Sequence, residues 1–313
     1  DDPAVKGYVL VSGVDSRGTP STWQIQPASV PTRLYVYDTL TIMDGGRVIA
    51  NAATTDLDSV VRISGQNANG TQSLLSLRDE LIPSGTFVIE DGGKVVAEAV
   101  QLRNPGNQLR VVGSSANGAS STLEVRERMS ILPGSGGSGR SSQLLIEDGG
   151  RLVSAEAGLR EGSITVSGTD PAGNPSLLES PLLLIDSSEE VNLLIKGGGK
   201  VVSEQAYVSQ NYSSTSAVTV EGRDAEGEAS LWDIGPRLDV GFSGSGTVTL
   251  RDGGTIAGTR VALGSRQNGS GTLVIGAAAN DAPVDPGELN VAQLAFGAGQ
   301  ARLVFNHTAE NYE

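Results

Sequence analysis

The chain has 313 residues, a formal net charge of −14 and no cysteine. The acidic balance argues against nucleic acid, heparin-like polyanions or anionic lipid as the main partner, because a net acidic surface repels each of them. The lack of cysteine excludes disulfides and thiolate metal sites. Only 4% of the residues are aromatic, whereas 42 are glycine and 13 are proline, and this favours stacked short strands over the core of a compact globular enzyme.

The first recurring element is a short β-run followed by two glycines five residues apart. It begins at Tyr8–Val11, which precedes Gly13 and Gly18, and it occurs five times. The later glycine pairs are Gly65 and Gly70, Gly113 and Gly118, Gly168 and Gly173, and Gly222 and Gly227. A serine and then a bulky residue follow each pair, as in Ser21-Thr-Trp23. The pattern predicts a strand, a glycine-bounded loop and a second strand.

The second recurring element is a strand that runs into a Gly-Gly turn and out into another strand. Its five copies are Leu40–Ala50, Phe87–Ala97, Leu144–Ser154, Leu193–Ser203 and Val248–Gly258. The equivalent turn position is occupied by Asp44, Asp91, Asp148, Gly197 and Asp252, so the copies recur at nearly regular intervals. A period of this length, roughly 50 residues, is typical of repeat proteins.

The glycines of this turn have a mechanical explanation. A sharp reversal needs positive φ angles, which glycine accepts without strain and aspartate tolerates. Gly197 replaces the aspartate in the fourth copy, so the carboxylate itself is dispensable. We therefore interpret the Asp-Gly-Gly segments as structural turns and not as calcium turns, which require tandem Gly-Gly-x-Gly-x-Asp repeats.

These elements predict an all-β fold, and a right-handed parallel β-helix of roughly 12–15 coils fits them best. A propeller blade would suit the period, but the aromatic-rich signature of blades is missing. A coil takes about 20 to 25 residues, so one repeat makes two coils. We expect a single β-helical body over residues 1–313. Its repeat units are 8–60, 61–108, 109–163, 164–216 and 217–270, followed by an end segment at 271–313.

A family resemblance enters at Leu238–Gly254. This segment resembles the passenger repeat of bacterial autotransporters, the type V secretion proteins, and Ser230–Trp232 is similar to the serine and tryptophan that commonly precede that repeat. The segments Gly271–Ala279, Pro286–Asn290 and Leu303–Thr308 are similar to the stretch near the C-terminal end of many passengers. The matches run from about Tyr8 to the end, although the first four copies keep looser spacing and mostly leucine where the family often has tryptophan.

The resemblance implies a passenger fragment, exported through the outer membrane of a Gram-negative bacterium and tethered by a C-terminal β-barrel that lies outside this chain. No apolar run is long enough for a membrane helix and no signal sequence opens the chain. Family members of this type are mostly adhesins. We therefore expect a cell-surface adhesin acting in self-association, biofilm formation and virulence, whose partner is a second copy on a neighbouring cell or a host surface protein or glycan.

Catalytic and metal sites are not expected. The one histidine, His307, lies in the last ten residues without a recognisable nucleophile, and Ser135 and Ser138 belong to a Gly-Ser-rich connection. Asp15, Asp170 and Asp224 lead equivalent loops and could bind Ca²⁺ weakly, although such residues more often bind turn amides. We expect no cofactor and no enzymatic activity. A β-helix enzyme acting on acidic polysaccharides, and a passive stalk, are the alternative interpretations.

Contact residues are expected in the longer segments between motifs, because loops lie on the surface and carry departures from the scaffold. These segments are Asn104–Gly106, Leu132–Ser142 and Gln210–Ser216. We select Gln210, Asn211, Tyr212 and Thr215 as a candidate contact loop. A row of individually weak contacts on a repeat protein adds up to an avid one.

Overall fold

The computed structural model describes residues 7–15, 17–25, 33–103, 106–133, 141–186, 191–310 and 312. Over these ranges the protein forms strands and no helix, so none of the described residues belongs to a helix that could cross a bilayer. The contacts between residues divide the chain into two compact units, Asp1–Ser154 and Ala155–Glu313.

The first unit is built from two parallel sheets. Its strands are β1 (Tyr8–Ser12), β2 (Thr22–Gln24), β3 (Arg33–Val36), β4 (Thr39–Met43), β5 (Arg47–Ala50), β6 (Ala52–Thr55), β7 (Val60–Ser64), β8 (Leu74–Leu77), β9 (Glu80–Ile82), β10 (Thr86–Glu90), β11 (Lys94–Leu102), β12 (Gln108–Val112), β13 (Thr122–Ile131) and β14 (Gln143–Glu147). One sheet has the order β1-β4-β7-β10-β12-β14. The other contains β2-β5-β8-β11-β13, with β3-β6-β9 joining the far end of β11.

The second unit repeats this plan, and the boundary between the units falls within β15 (Arg151–Leu159). Its other strands are β16 (Ser163–Ser167), β17 (Leu177–Glu179), β18 (Leu182–Ile185), β19 (Val191–Lys196), β20 (Lys200–Val208), β21 (Thr215–Glu221), β22 (Leu231–Val240), β23 (Ser245–Arg251), β24 (Thr255–Leu263), β25 (Ser270–Gly276), β26 (Glu288–Phe296) and β27 (Gln300–Asn306). One sheet has the order β16-β19-β21-β23-β25-β27, and the other contains β17-β20-β22-β24-β26. In the second sheet β18 pairs with β15 and β20.

Each coil contributes one strand to the first sheet, and one long strand or two short ones to the second. The described residues therefore form six coils in each unit. This confirms the all-β fold and the parallel β-helix. One repeat makes two coils, as the period predicted. The boundaries of the repeat units, and the single body over residues 1–313, stay predictions.

The core consists of aliphatic side chains stacked in register from coil to coil. In the first unit one such row runs through Ile42, Ile63, Ile89, Val111 and Ile146, all fully buried. The corresponding row of the second unit is Val166, Ile195, Val220, Leu250 and Ile275. Burial of one such side chain stabilises the fold by about 2 kcal/mol. The rows explain why the chain needs few aromatic residues.

The Asp-Gly-Gly turns have the backbone geometry that the sequence predicted. The aspartates at the first position have φ angles of 51 to 53°, Gly197 in their place has 57°, and the glycines that follow have 79 to 88°. The last glycine of each turn has a different reason to be glycine. A Cβ atom on Gly93 would lie 2.3 Å from the carbonyl oxygen of Ile63 in the preceding coil. Glycine is therefore required at the third position because two coils approach closely there.

The serine after each glycine pair is part of the same corner, a role the sequence did not reveal. Ser73, Ser121 and Ser230 are fully buried, and their hydroxyls accept hydrogen bonds from the first Gly-Gly amides of the preceding coil at 3.0 to 3.1 Å. The hydroxyl of Ser121 also donates to the carbonyl of Val112 at 2.7 Å. A buried amide without a partner costs about 1 to 3 kcal/mol, so the serine is needed wherever a Gly-Gly turn lies beneath it.

Candidate contact surface

The five glycine-bounded loops form short antiparallel tips at the corner that follows the first sheet. Isolated bridges close them, for example Gln66 with Gln72 and Thr169 with Pro175. In the first unit these tips contact each other, because Gln66 donates through Nε2 to the Ser115 hydroxyl of the tip two coils further on, at 2.6 Å. The tips therefore form a ridge of turn residues.

The carboxylates that lead three of these tips bind backbone amides. Asp15 Oδ1 accepts from the amides of residues 17 and 19 at 2.8 Å, and these bonds lower the pKa of Asp15 because they favour the charged form. Asp170 and Asp224 accept equivalent pairs of amide bonds at 2.7 to 3.1 Å. In the part of the chain that the structure describes, no three His, Asp or Glu side chains converge as metal ligands.

Of the residues weighed as catalytic candidates, His307 lies within the described residues. His307 follows β27, bridges to Val284 and packs against the rings of Phe305 and Tyr312 at 6.2 and 5.3 Å. Burial raises the pKa of Tyr312, whose hydroxyl donates to the carbonyl of Gly287 at 2.9 Å. His307 is therefore placed in a packed aromatic cluster. Ser135 and Ser138 lie outside the described residues.

The charged residues in the middle of β13 form ion pairs between coils. Glu124 binds Lys94 at 2.7 Å, and Arg126 binds Glu98 at 2.7 Å. Both pairs are partly exposed, and such pairs contribute at most about 1 kcal/mol each. This arrangement joins neighbouring coils and gives Glu98 and Glu124 each a cationic partner.

The candidate contact loop lies between β20 and β21. Tyr212 is 74% exposed, Thr215 is exposed at the start of β21, and Gln210 is half-buried. Asn211 is anchored to the buried Asp186, because its backbone amide donates to Asp186 Oδ1 at 2.9 Å and its side-chain amide donates to the other oxygen. The loop thus presents Tyr212 and Thr215 outward, while Asn211 holds it to the preceding coil. Of the other two predicted segments, residues 104–105 and 134–140 lie outside the described residues.

Two later loops lie against this one in the same stack. The amide of Gly244, after β22, donates to the carbonyl of Ser209 at 3.1 Å, and the amide of Arg266, after β24, donates to the carbonyl of Phe242 at 2.9 Å. The Phe242 ring packs edge-on against Tyr207, with centroids 5.6 Å apart. The Arg266 guanidinium lies over the Phe242 ring, 4.9 Å from its centroid. Composition alone did not point to this aromatic and cationic corner.

A buried carboxylate lies beside that corner. Asp239 is fully buried although it lies on the outer side of β22, between the inward-facing Leu238 and Val240. It forms an ion pair with Arg237 and accepts a hydrogen bond from the Ser265 hydroxyl. Asp239 raises the pKa of Arg237 chiefly through their hydrogen bond. A buried charge is tolerated when it is paired and hydrogen-bonded in this way.

Comparison with known proteins gives one informative match. No family model and no solved structure matches the chain. A stretch of 119 residues is 37% identical to a protein of Escherichia coli (strain K12) named as the uncharacterized lipoprotein YdeK. That stretch is 37% of this chain and 8% of the relative, so the chain spans less than a tenth of the relative's length.

Proposed function

We propose that this chain is part of the passenger of an autotransporter adhesin, displayed on the surface of a Gram-negative bacterium, and that it joins cells by binding a second copy or a host surface. The observation that carries this proposal is the stack of coils itself. Neighbouring coils lie about 4.8 Å apart, so side chains at equivalent positions repeat at that interval along an outer face. Such rows suit many weak contacts that act together.

The contact loop supplies a specific starting point for this adhesive contact. Tyr212 is among the most exposed large side chains of the described residues, and tyrosine provides a large contact area at low cost in conformational entropy. Its loop is fixed by the bonds between Asn211 and Asp186, so less ordering is needed on binding. These features support a role for Tyr212 in binding a partner.

The cellular location is proposed from two sources. The relative from Escherichia coli is named a lipoprotein, which supports a cell-envelope location for this chain. Display on the outer surface follows from the resemblance of Leu238–Gly254 to passenger repeats. We propose no enzymatic activity, because the candidate catalytic residues within the described ranges serve ion pairs, turns and an aromatic cluster.

Display of the full-length protein on non-clumping bacteria tests the function. We expect the displaying cells to settle together. In a mixture with cells that lack the protein, a homotypic contact should leave the latter in suspension. Adhesion to host cells or matrix without clumping would indicate a host receptor. Tyr212→Ala should slow settling or attachment, whereas Tyr37→Ala, which removes a similarly exposed tyrosine from the first unit, should not. Wild-type cells that neither clump nor attach would contradict an adhesive function and favour a passive stalk.

A further inference from the structure

Two arginines in β24 and the loop after it have no acidic partner. Arg260 and Arg266 are exposed, and among the described residues neither forms an ion pair with a carboxylate. Arg260 lies on the outer side of β24, since the next residue, Val261, is buried in the core. Gln293 of the following coil pairs with Arg260 in the sheet. In the preceding coil, Arg237 directly precedes Leu238, the partner of Val261. The result is a local excess of positive charge on a chain whose formal net charge is −14.

The surface around these arginines includes two aromatic rings. Tyr207 and Phe242 border the same surface, and the Phe242 ring lies beneath the Arg266 guanidinium. We refer to Tyr207, Arg237, Phe242, Arg260 and Arg266 as the arginine–aromatic face.

Bonds to the buried Asp239 fix Arg237 and the loop that carries Arg266 before any ligand arrives. Asp239 holds Arg237 through an ion pair and holds the loop after β24 through the Ser265 hydroxyl. Ser265 directly precedes Arg266, whose amide is bonded to the Phe242 carbonyl at 2.9 Å. A fixed guanidinium loses little conformational entropy when it binds an anion. Asp239 is therefore a positioning residue for this face.

We propose that the arginine–aromatic face binds an anionic polysaccharide, one that carries carboxylate or sulfate groups. Guanidinium groups bind such oxyanions through paired, charge-assisted hydrogen bonds. The half-buried rings of Tyr207 and Phe242 offer apolar contact to the C–H faces of sugar rings. A ligand of this class uses both parts of the face, whereas a small inorganic anion uses only the arginines.

The net charge of the chain does not prevent this binding. At physiological salt, electrostatic interactions between exposed charges are screened beyond about 8 Å. A ligand on the face therefore responds mainly to Arg260, Arg266 and the neutralised pair of Arg237 and Asp239. The same screening predicts that binding weakens as salt is raised. The inference rests on the proposed adhesive function for its biological role, since it names a glycan as one ligand of the adhesin.

Titration calorimetry on the intact 313-residue chain tests the proposal. The probes are polygalacturonate for carboxylates, dextran sulfate for sulfates and neutral dextran as the control polymer. We expect binding to at least one anionic polymer, none to neutral dextran, and a loss of affinity of at least tenfold in Arg260→Ala and in Arg266→Ala. Binding of only one anionic polymer supports the proposal and identifies the acidic group.

Arg302→Ala is the matched control, because Arg302 is an exposed arginine without an ion pair on the other sheet of the same unit, within the described residues. It changes net charge equally and should keep wild-type affinity. Equal losses in Arg302→Ala and Arg260→Ala, or no binding of either anionic polymer, would overturn the proposal. Circular dichroism spectra matching the wild type keep the comparison independent of folding.

The cell assay separates this inference from the proposed function. Wild-type cells that clump or attach, together with a chain that binds no anionic polymer, would refute the glycan ligand and leave the adhesin in place. If the chain binds the polymer through Arg260 and Arg266 but cells that display it do not adhere, the glycan ligand stands and the adhesive function is refuted. Shortening of the bound polymer would contradict the proposal of a purely binding face and favour the enzyme alternative.

Discussion

Replacing Gly93 by alanine tests whether coil spacing, and not backbone conformation, requires glycine at the end of the Asp-Gly-Gly turn. Gly93 does not have a positive φ angle, yet its added Cβ would lie 2.3 Å from the Ile63 carbonyl oxygen. The turn must move about 0.7 Å away merely to reach 3.0 Å, the shortest ordinary contact of a Cβ atom. The adjacent bond from the Lys94 amide to the Ser73 carbonyl, 2.8 Å long, would then lengthen to roughly 3.5 Å, beyond normal hydrogen-bond range.

The expected loss follows from these displacements. Overpacking costs about 1 to 3 kcal/mol, and the weakened hydrogen bond costs about 1 kcal/mol. Alanine also lowers the conformational entropy of the unfolded chain, which offsets about 0.4 to 1 kcal/mol of this loss. We expect Gly93→Ala to lower the free energy of unfolding by about 2 kcal/mol. Gly118→Ala is the control, because Gly118 has a φ of +81° and open space around its Cβ position. Gly118→Ala should lower the free energy of unfolding by about 1 kcal/mol, which is the left-handed backbone strain less the same gain from the stiffer unfolded chain.

Urea unfolding followed by far-ultraviolet circular dichroism measures both variants, and similar slopes with urea permit the comparison of midpoints. Equal losses would show that close approach of coils does not explain the recurring geometry of the turn. A larger loss in Gly118→Ala would mean that left-handed strain dominates at these corners.

Three further predictions concern the corner, a tip and the core. Ser121→Ala should lower the free energy of unfolding in urea by about 1 to 3 kcal/mol, because it leaves a buried amide and a buried carbonyl without a hydrogen-bond partner. Ser141→Ala, at an exposed serine, should be neutral, and equal effects of the two would contradict the role of Ser121 in joining two coils. The pKa of Asp15 lies below 3.8 in the folded chain, so its stabilising amide bonds are complete above pH 3.8 and are lost as the pH falls through the lower folded value. Protection of the tip amides from exchange, relative to their intrinsic rate at each pH, should therefore fall in acid. Protection at the Asn67 tip, which has the same bonds from a neutral side chain, should stay constant, and parallel behaviour of the two tips would refute the assignment. Trp232→Ala should cost about 3 to 5 kcal/mol in urea unfolding, since the ring is fully buried and donates to the Ser203 hydroxyl at 3.1 Å, and a loss below about 1 kcal/mol would contradict that burial.

The features that sequence analysis predicted are those that depend on local backbone geometry. Positive φ angles at Asp44 and its equivalents follow from turn chemistry, and the substitution of Gly197 for aspartate already showed that the carboxylate is not required. The spacing of the Gly-Gly turns along the chain also predicted two coils per repeat. Each of these inferences needs only the sequence pattern within one repeat.

The features that were missed depend on neighbours in other coils. Nothing local reveals that Ser121 binds an amide 29 residues earlier, or that Asp239 meets Ser265, 26 residues later. Asp239 did offer a signal, since it stands alone between two buried aliphatic residues. Asn211 was selected as a contact residue from its loop position, but its side chain is bound to Asp186. Tyr212 and Thr215 are therefore the better candidates for contact residues in this loop.

The alternation of the two corners sets the unit by which this scaffold can grow. Where a serine-bearing tip lies on the next coil, its hydroxyl accepts from the Gly-Gly turn, as Ser73 accepts from the amide of Gly45. The last Gly-Gly turn differs, because the amide of Gly253 donates to the carbonyl of Pro286. Duplication of a single coil would set two like corners against each other and leave one buried amide without an acceptor. Duplication of a coil pair restores every bond. Gene duplication or engineering should therefore lengthen this protein by whole coil pairs, and insertions of one coil should be selected against.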